Sequence, residues 1–284
     1  YKVPNGMSYN SYVILDDKIA VMDTVDGFFT EEWLNNVEQV LDGKMPDYLI
    51  IQHMEPDHSA SIPAFLKKYP KATVVSTAKG FQFMEQFFPE FFAGQGLPAE
   101  QRIVAANDGV LELGQHSLHF VYAPMVHWPD NMLTYCPEDK ILFSNDAFGQ
   151  HLAVSENFDD ELSLDLILSE AKKYYANIVM PYSSQVATAL NAAAGLDIKM
   201  IAPGHGMIWR KNIPAILENY TKWSRGEMEK KAVIVFDSMW HSTESMAYAV
   251  RNAFEQKDYS FRFFDLKANH ISDVITDCLD AEYI

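Results

Sequence analysis

The chain has 284 residues, 48% of them apolar and 21% charged, with a formal net charge of −17. That is the composition of an ordinary globular protein, with apolar material for one large domain or two smaller ones. The acidic balance argues against a nucleic-acid groove or an anionic membrane partner, because both select for clustered Lys and Arg.

Residues 9–25 alternate in polarity and predict a β-hairpin turning at Asp16-Asp17. Residues 30–41 carry Trp33, Leu34, Val37, Val40 and Leu41 at helical spacing. Residues 47–52 form an apolar run that reads as a buried strand, and residues 59–66 read as a helix start. Ser59 or Ser61 suits its cap and Pro63 its first turn. Residues 72–76 predict another strand, and residues 78–88 a helix whose Phe and Met side chains belong to the core. Further strands are expected at 103–104, 110–113 and 119–122, then a hairpin of 133–135 with 140–143. Residues 159–180 and 183–195 read as helices, 200–202 as a short strand and 213–224 as a helix. The polar stretch 225–231 looks like a linker or domain edge. Beyond it a strand at 232–236, a helix at 244–254, a strand at 259–266 and a helix at 271–279 open a parallel α/β sheet, and residues 281–284 begin a third strand.

Between the strand at 47–52 and the following helix lies His53-Met54-Glu55-Pro56-Asp57-His58. Four metal-ligand side chains in six residues on a strand-to-helix loop point to a metal site. His53, Glu55 and Asp57 alternate, so an extended loop would project them to one side, with His58 at the mouth of the helix. His127, Asp146 and His205 each follow a predicted strand. Alone, each is an ordinary strand-end residue. Together with the first loop they offer four imidazoles and three carboxylates, which suits two metals and exceeds what one tetrahedral ion needs. Asp146 is the natural bridge, being the only one of these carboxylates outside the first loop.

This constellation resembles the metallo-β-lactamase superfamily, whose common hydrolase motif is His-x-His-x-Asp-His. Glu55 stands where that motif has its second His. An anionic oxygen donor shifts preference away from zinc toward iron. The His-x-Glu-x-Asp-His form, followed by a flavodoxin-like segment, resembles the flavodiiron proteins. The surroundings Val126-His127-Trp128-Pro129-Asp130 and Ser144-Asn145-Asp146-Ala147-Phe148-Gly149 match as well. The resemblance implies two Fe: one on His53, Glu55 and His127, the other on Asp57, His58 and His205, with Asp146 bridging. The residue matching His58 does not bind in every member. His151 is either a support behind the ligands or a surface residue, while His116, His119 and His270 read as structural or solvated.

Ser238, Met239, Trp240, His241, Ser242 and Thr243 connect a strand to a helix, where hydroxyls and backbone amides can cradle a phosphate. By itself this is an ordinary polar connection. After the diiron motif it resembles the flavodoxin phosphate loop, although His241 stands where the family often has Gly. The expected fold is α/β. A metallo-β-lactamase-like αββα sandwich over residues 1–226 precedes an incomplete flavodoxin-like FMN domain over residues 230–284. The resemblance implies reduction of dioxygen to water, nitric oxide to nitrous oxide, or both. Electrons would come from rubredoxin or a similar carrier through FMN, in a head-to-tail homodimer. A dinuclear metal-dependent hydrolase is the alternative, and a non-catalytic metal-binding module a third. Cys136 and Cys278 form no paired motif, which fits a reducing, cytoplasmic setting. No run approaches the ~20 apolar residues of a membrane span, and no signal peptide opens the chain. Both ends are expected to be missing, since the chain opens on Tyr1-Lys2-Val3 and stops inside a third strand.

Overall fold

The computed structural model describes residues 1–92 and 97–284. The hairpin forms as expected: β1 (Tyr12–Ile14) pairs antiparallel with β2 (Ala20–Met22). From there β3 (Tyr48–Ile51), β4 (Thr73–Ser76) and β5 (Arg102–Val104) add in parallel, giving a sheet in chain order. A second sheet runs β10-β9-β8-β7-β6. Its members are β6 (Val110–Glu112), β7 (Ser117–Tyr122), β8 (Met132–Cys136), β9 (Ile141–Asn145) and β10 (Met200–Pro203). Only β9 with β10 is parallel there.

The period-two geometry of a strand decides how the layers meet. In β3, Leu49 and Ile51 pack with Trp33, Val37, Phe65 and Phe81 of the helices α1 (Thr30–Leu41), α3 (Ile62–Lys68) and α4 (Ala78–Phe87). Its Tyr48 and Ile50 face the second sheet and meet Phe120, Met132 and Phe143. In β8, Met132 and Cys136 point inward, while Leu133 and Tyr135 meet the helices α6 (Leu164–Tyr174) and α8 (Ile213–Arg225). The result is helix, sheet, sheet, helix, the expected αββα sandwich. Strands buried on both faces explain the continuous apolar runs that marked them in the sequence.

Three local expectations fail. The helix after the first ligand loop starts earlier than Ser59: Pro56 opens a single turn, α2 (Pro56–Ser59), separate from α3. Ser61 stands at the N-cap position of α3, with Pro63 in its first turn as expected, but its hydroxyl donates to the Val25 carbonyl and the Ser59 hydroxyl to the Met54 carbonyl, so neither side chain bonds a helix-end N–H. The helix expected from residue 159 begins only at Leu164, because the buried Asp159 carboxylate accepts the backbone N–H groups of Arg210, Lys211 and Asn212. It ends in a π-helical turn over Tyr175–Val179 and a 3₁₀ turn over Met180–Tyr182. Pro181 has no N–H to continue the α pattern. The next helix, α7, covers Ser183–Ala193, and a further short turn, α5, covers Pro89–Phe92.

The third failure is the linker alternative for residues 225–231, most of which are folded. α8 stops at Gly226, whose left-handed φ of +64° closes the helix, and β11 (Glu229–Phe236) begins three residues later. Lys231 is only 6% exposed and pairs with Asp277 and Asp280. A Lys-rich run reads as solvated in sequence, yet here one ammonium is buried because carboxylates meet it. After α9 (Ser242–Glu255), β12 (Ser260–Asp265), α10 (Ile271–Cys278) and β13 (Ala281–Tyr283), the third sheet has the order β12-β11-β13, all parallel. It leans on the sandwich through Lys173–Asp273 at 2.6 Å, Lys172–Asp280 at 2.5 Å and the Asn177 amide, which donates to the Ser272 carbonyl at 3.1 Å. Among the described residues no helix is long and apolar enough to cross a membrane.

Candidate metal centre

Four chain segments deliver seven side chains to one edge of the sandwich. β3 runs on through His53 and Met54 to Glu55, and Pro56 then turns the chain into α2. His127 lies beyond β7, Asp146 directly after β9 and His205 shortly after β10. Because β9 and β10 are parallel neighbours with Asn145 opposite Pro203, Asp146 and His205 arrive side by side.

The seven form two clusters, in each of which one donor atom per residue lies within 4.8 Å of all the others. In the first, His127 Nε2 is 2.9 Å and His53 Nε2 3.3 Å from Glu55 Oε2. Asp146 Oδ2 completes it at 3.3 Å from His127 Nε2 and 3.5 Å from His53 Nε2. The second joins Asp57, His58 and His205, with His205 Nε2 3.4 Å from Asp57 Oδ2. The other oxygen of Asp146, Oδ1, faces this second cluster, 2.9 Å from His58 Nε2 and 3.4 Å from His205 Nε2. The expected alternation of His53, Glu55 and Asp57 on one side therefore stops at Pro56. The turn of α2 carries Asp57 and His58 over to the second cluster.

The chemistry of these donors fits metal ions. Asp57 Oδ1 and Asp146 Oδ2 are buried and accept no hydrogen bond, an arrangement costly for a carboxylate unless positive charge lies beside it. The imidazoles respond to the same need in the metal-free chain. Burial lowers the His53 pKa, but hydrogen bonding to Asp130 and Glu55 and the Asp146 charge outweigh it and raise it to about 10. His127 reaches about 9 and His205 about 10, where again burial is overcome by the carboxylates. Glu55 falls to about 2: burial opposes the shift, and hydrogen bonds from His127 and His53 prevail. Asp146 is likewise held well below the usual carboxylate range, against its burial, by three histidines: the His58 charge foremost, then hydrogen bonds from His127, His205 and His58. Two cations would supply the positive charge that protons otherwise provide.

Supporting contacts fix which nitrogen faces the site. Asp130 lies 3.3 Å from His53 Nδ1 through both oxygens and accepts the Met54 N–H at 2.7 Å. His205 Nδ1 donates to the Ser8 carbonyl at 2.7 Å. Both leave Nε2 toward the cluster, the usual orientation device for ligating histidines. Asp23 ties the strand ends together, accepting from the Gln52 backbone at 2.7 Å and the Asn145 amide at 3.1 Å. Gly204 is required by space: a Cβ there would lie 2.7 Å from His58 Cε1.

Sequence reasoning quoted Asp130 only as part of a motif and missed Asp23, Ser8 and Gly204. Their roles depend on strands meeting, and only the His-to-Asp130 spacing left a trace. Of the two readings of His151 the surface one fails: it is buried, its ring 5.4 Å from that of His205. Burial, and then the neighbouring His205 charge, lower its pKa to about 4. His116 pairs with Asp16, His119 lies 3.2 Å from the Ser117 hydroxyl, and His270 accepts the Ser272 N–H to cap α10, all structural as expected.

Ser238, Met239, Trp240 and His241 form the connection from β11 into α9, which opens with Ser242 and Thr243. All but Ser238 are exposed. His241 adopts a left-handed φ of +64°, the conformation that favours the Gly often found there, and its Nδ1 lies 2.6 Å from Glu244.

Residues 7–206 match the family described as ODP family beta lactamase. The chain is 41% identical over 286 residues to a nitric oxide reductase of Moorella thermoacetica, covering all of this chain and 70% of that protein. Its backbone superimposes on the flavodiiron protein from Giardia intestinalis with a TM-score of 0.91 and 33% identity, over 98% of this chain and 66% of that one. The chain belongs to the flavodiiron proteins. This flavodiiron chain also matches the rubredoxin oxygen:oxidoreductase of Desulfovibrio gigas, with a TM-score of 0.92, 33% identity, and 98% and 69% coverage.

Proposed function

We propose that this chain carries the diiron centre of an enzyme that reduces dioxygen to water, nitric oxide to nitrous oxide, or both. The observation that carries the reading is Asp146, which turns one carboxylate oxygen to each cluster. That arrangement suits a bridge between two metals. His53, Glu55 and His127 would hold one iron, and Asp57, His58 and His205 the other. Bound there, an iron pair would supply electrons and open coordination positions to the gas. The chain's own part is orientation. Asp130 and the Ser8 carbonyl keep protons on the Nδ1 atoms of His53 and His205, so that Nε2 of each presents its lone pair. Three carboxylates among seven donors favour iron over zinc.

The relatives' names, nitric oxide reductase and rubredoxin-oxygen oxidoreductase, support both gases as substrates and rubredoxin or a similar carrier as donor. Residues 1–226 would form the iron domain. Residues 230–284 would begin an FMN domain, with Ser238, Met239, Trp240, His241, Ser242 and Thr243 meeting the flavin phosphate. In a head-to-tail homodimer one subunit's flavin would sit beside the other's irons, in the cytoplasm. Phe28, 97% exposed beside Phe29, supports a covering partner there, since Phe29 packs on Tyr9 and Tyr9 on the His205 ring.

Metal analysis combined with anaerobic gas uptake tests the reading. Two irons per chain and consumption of dioxygen or nitric oxide by the donor-reduced protein are expected. Retained zinc with ester or lactam cleavage would instead establish a dinuclear hydrolase.

A further inference from the structure

Behind the metal ligands, on the outer face of the second sheet, lies a cavity of about 320 Å³ between α7 and α8. Its origin is legible in α7, where alanines at 187, 189 and 193, with Ala194 just past its end, line it and leave volume that larger side chains would fill. Leu133 and Leu142 of the sheet, Leu190 of α7 and Leu217 of α8 complete an apolar wall. Of the polar lining residues, Asn191 and Arg225 are exposed and mark its surface end, while the Thr221 and Ser224 hydroxyls are engaged within α8, donating to the Leu217 and Thr221 carbonyls. At the inner end lie Val126, Ala147 and Phe148. Val126 is the residue before His127, and Ala147 the residue after Asp146. The buried Tyr220 hydroxyl is engaged there by the Phe148 N–H at 2.8 Å.

We propose that this cavity is a binding site for apolar diatomic gas, which passes from it to the metal centre between Val126 and Ala147. The proposal rests on the reductase reading for the identity of the gas. A water needs two to four polar partners to be held in a cavity, whereas an apolar cavity stays dry and takes up xenon. Dioxygen and nitric oxide share the low polarity that such a wall selects. The position matters as much as the lining, because the inner end is built from the immediate neighbours of two ligands.

Crystals of the iron-loaded protein pressurised with xenon test the cavity without any turnover. Xenon between α7 and α8 is expected. Ala193→Phe, and independently Leu190→Trp, should exclude it and raise the KM for the gas several-fold, with kcat and iron content unchanged. Absence of xenon from the cavity overturns the proposal. So does an unchanged KM in a folded variant that has lost xenon, or a co-purifying amphiphile that fills the space. If the variants fail to fold, the xenon result on the wild type decides. Xenon in the cavity of a wild type that consumes neither gas supports the gas site and overturns the reductase reading instead.

Discussion

Asp130→Asn isolates the contribution of a residue that touches no metal. Asp130 Oδ2 accepts the Met54 N–H at 2.7 Å, and both of its oxygens lie 3.3 Å from His53 Nδ1. Asparagine keeps the shape, and its single oxygen still serves Met54. Its amide nitrogen then faces His53 Nδ1 and donates to it. That favours the His53 tautomer with the proton on Nε2, the atom turned toward Glu55 and Asp146. Iron ligation needs that lone pair free. Loss of a hydrogen bond to a charged group costs about 1.5–3 kcal/mol, and about 1.4 kcal/mol is tenfold in affinity. Ferrous iron should therefore bind roughly 10- to 100-fold more weakly, the range found for partners behind metal ligands. Anaerobic competition with a chelator measures it, with circular dichroism confirming that the variant is folded. A folded Asp130→Asn protein with wild-type iron affinity would refute the tautomer argument.

Metal uptake at pH 7 should release protons, because His53 and His205 titrate at about 10 and His127 at about 9 in the metal-free chain. Uptake in weak buffer with no acidification would count against it. The same raised values stabilise the metal-free chain fully below the unfolded value of about 6.5. They cease to do so as pH rises through about 9 to 10, so its melting temperature should fall between pH 7 and pH 10. Gly204→Ala places a methyl group 2.7 Å from His58 Cε1 and should lower metal content toward one ion per chain, which elemental analysis would read directly. Asp280→Ala leaves the buried Lys231 ammonium with Asp277 alone, at 3.4 Å. It should destabilise the third sheet by roughly 3 kcal/mol while iron content stays at the wild-type level. Denaturant unfolding that matches the wild type would show that Asp277 suffices.

The donors of the candidate centre were legible in the chain because each segment that carries them follows a strand, and strand ends announce themselves by an apolar run that stops. The strands were legible as apolar runs, while the layered αββα order came from the resemblance to the metallo-β-lactamase superfamily. That Leu49 and Ile51 face the helices and Tyr48 and Ile50 the second sheet is a division the all-apolar run 48–51 does not display. What the residues read by themselves left open, and only the family resemblance implied, was the division of labour within His53–His58. That depends on Pro56 opening a helical turn, and on β9 and β10 pairing in parallel so that Asp146 stands between the clusters. Lys231 misled for the complementary reason: a lysine carries no local sign that Asp277 and Asp280 will meet it from α10 and the turn beyond. Asp130 behind His53 and the alanine-lined cavity behind Asp146 belong to the same class. Periodicity is written into neighbouring residues, whereas which side chains meet across the fold is set by sheet register and by the packing of helices far apart in the chain.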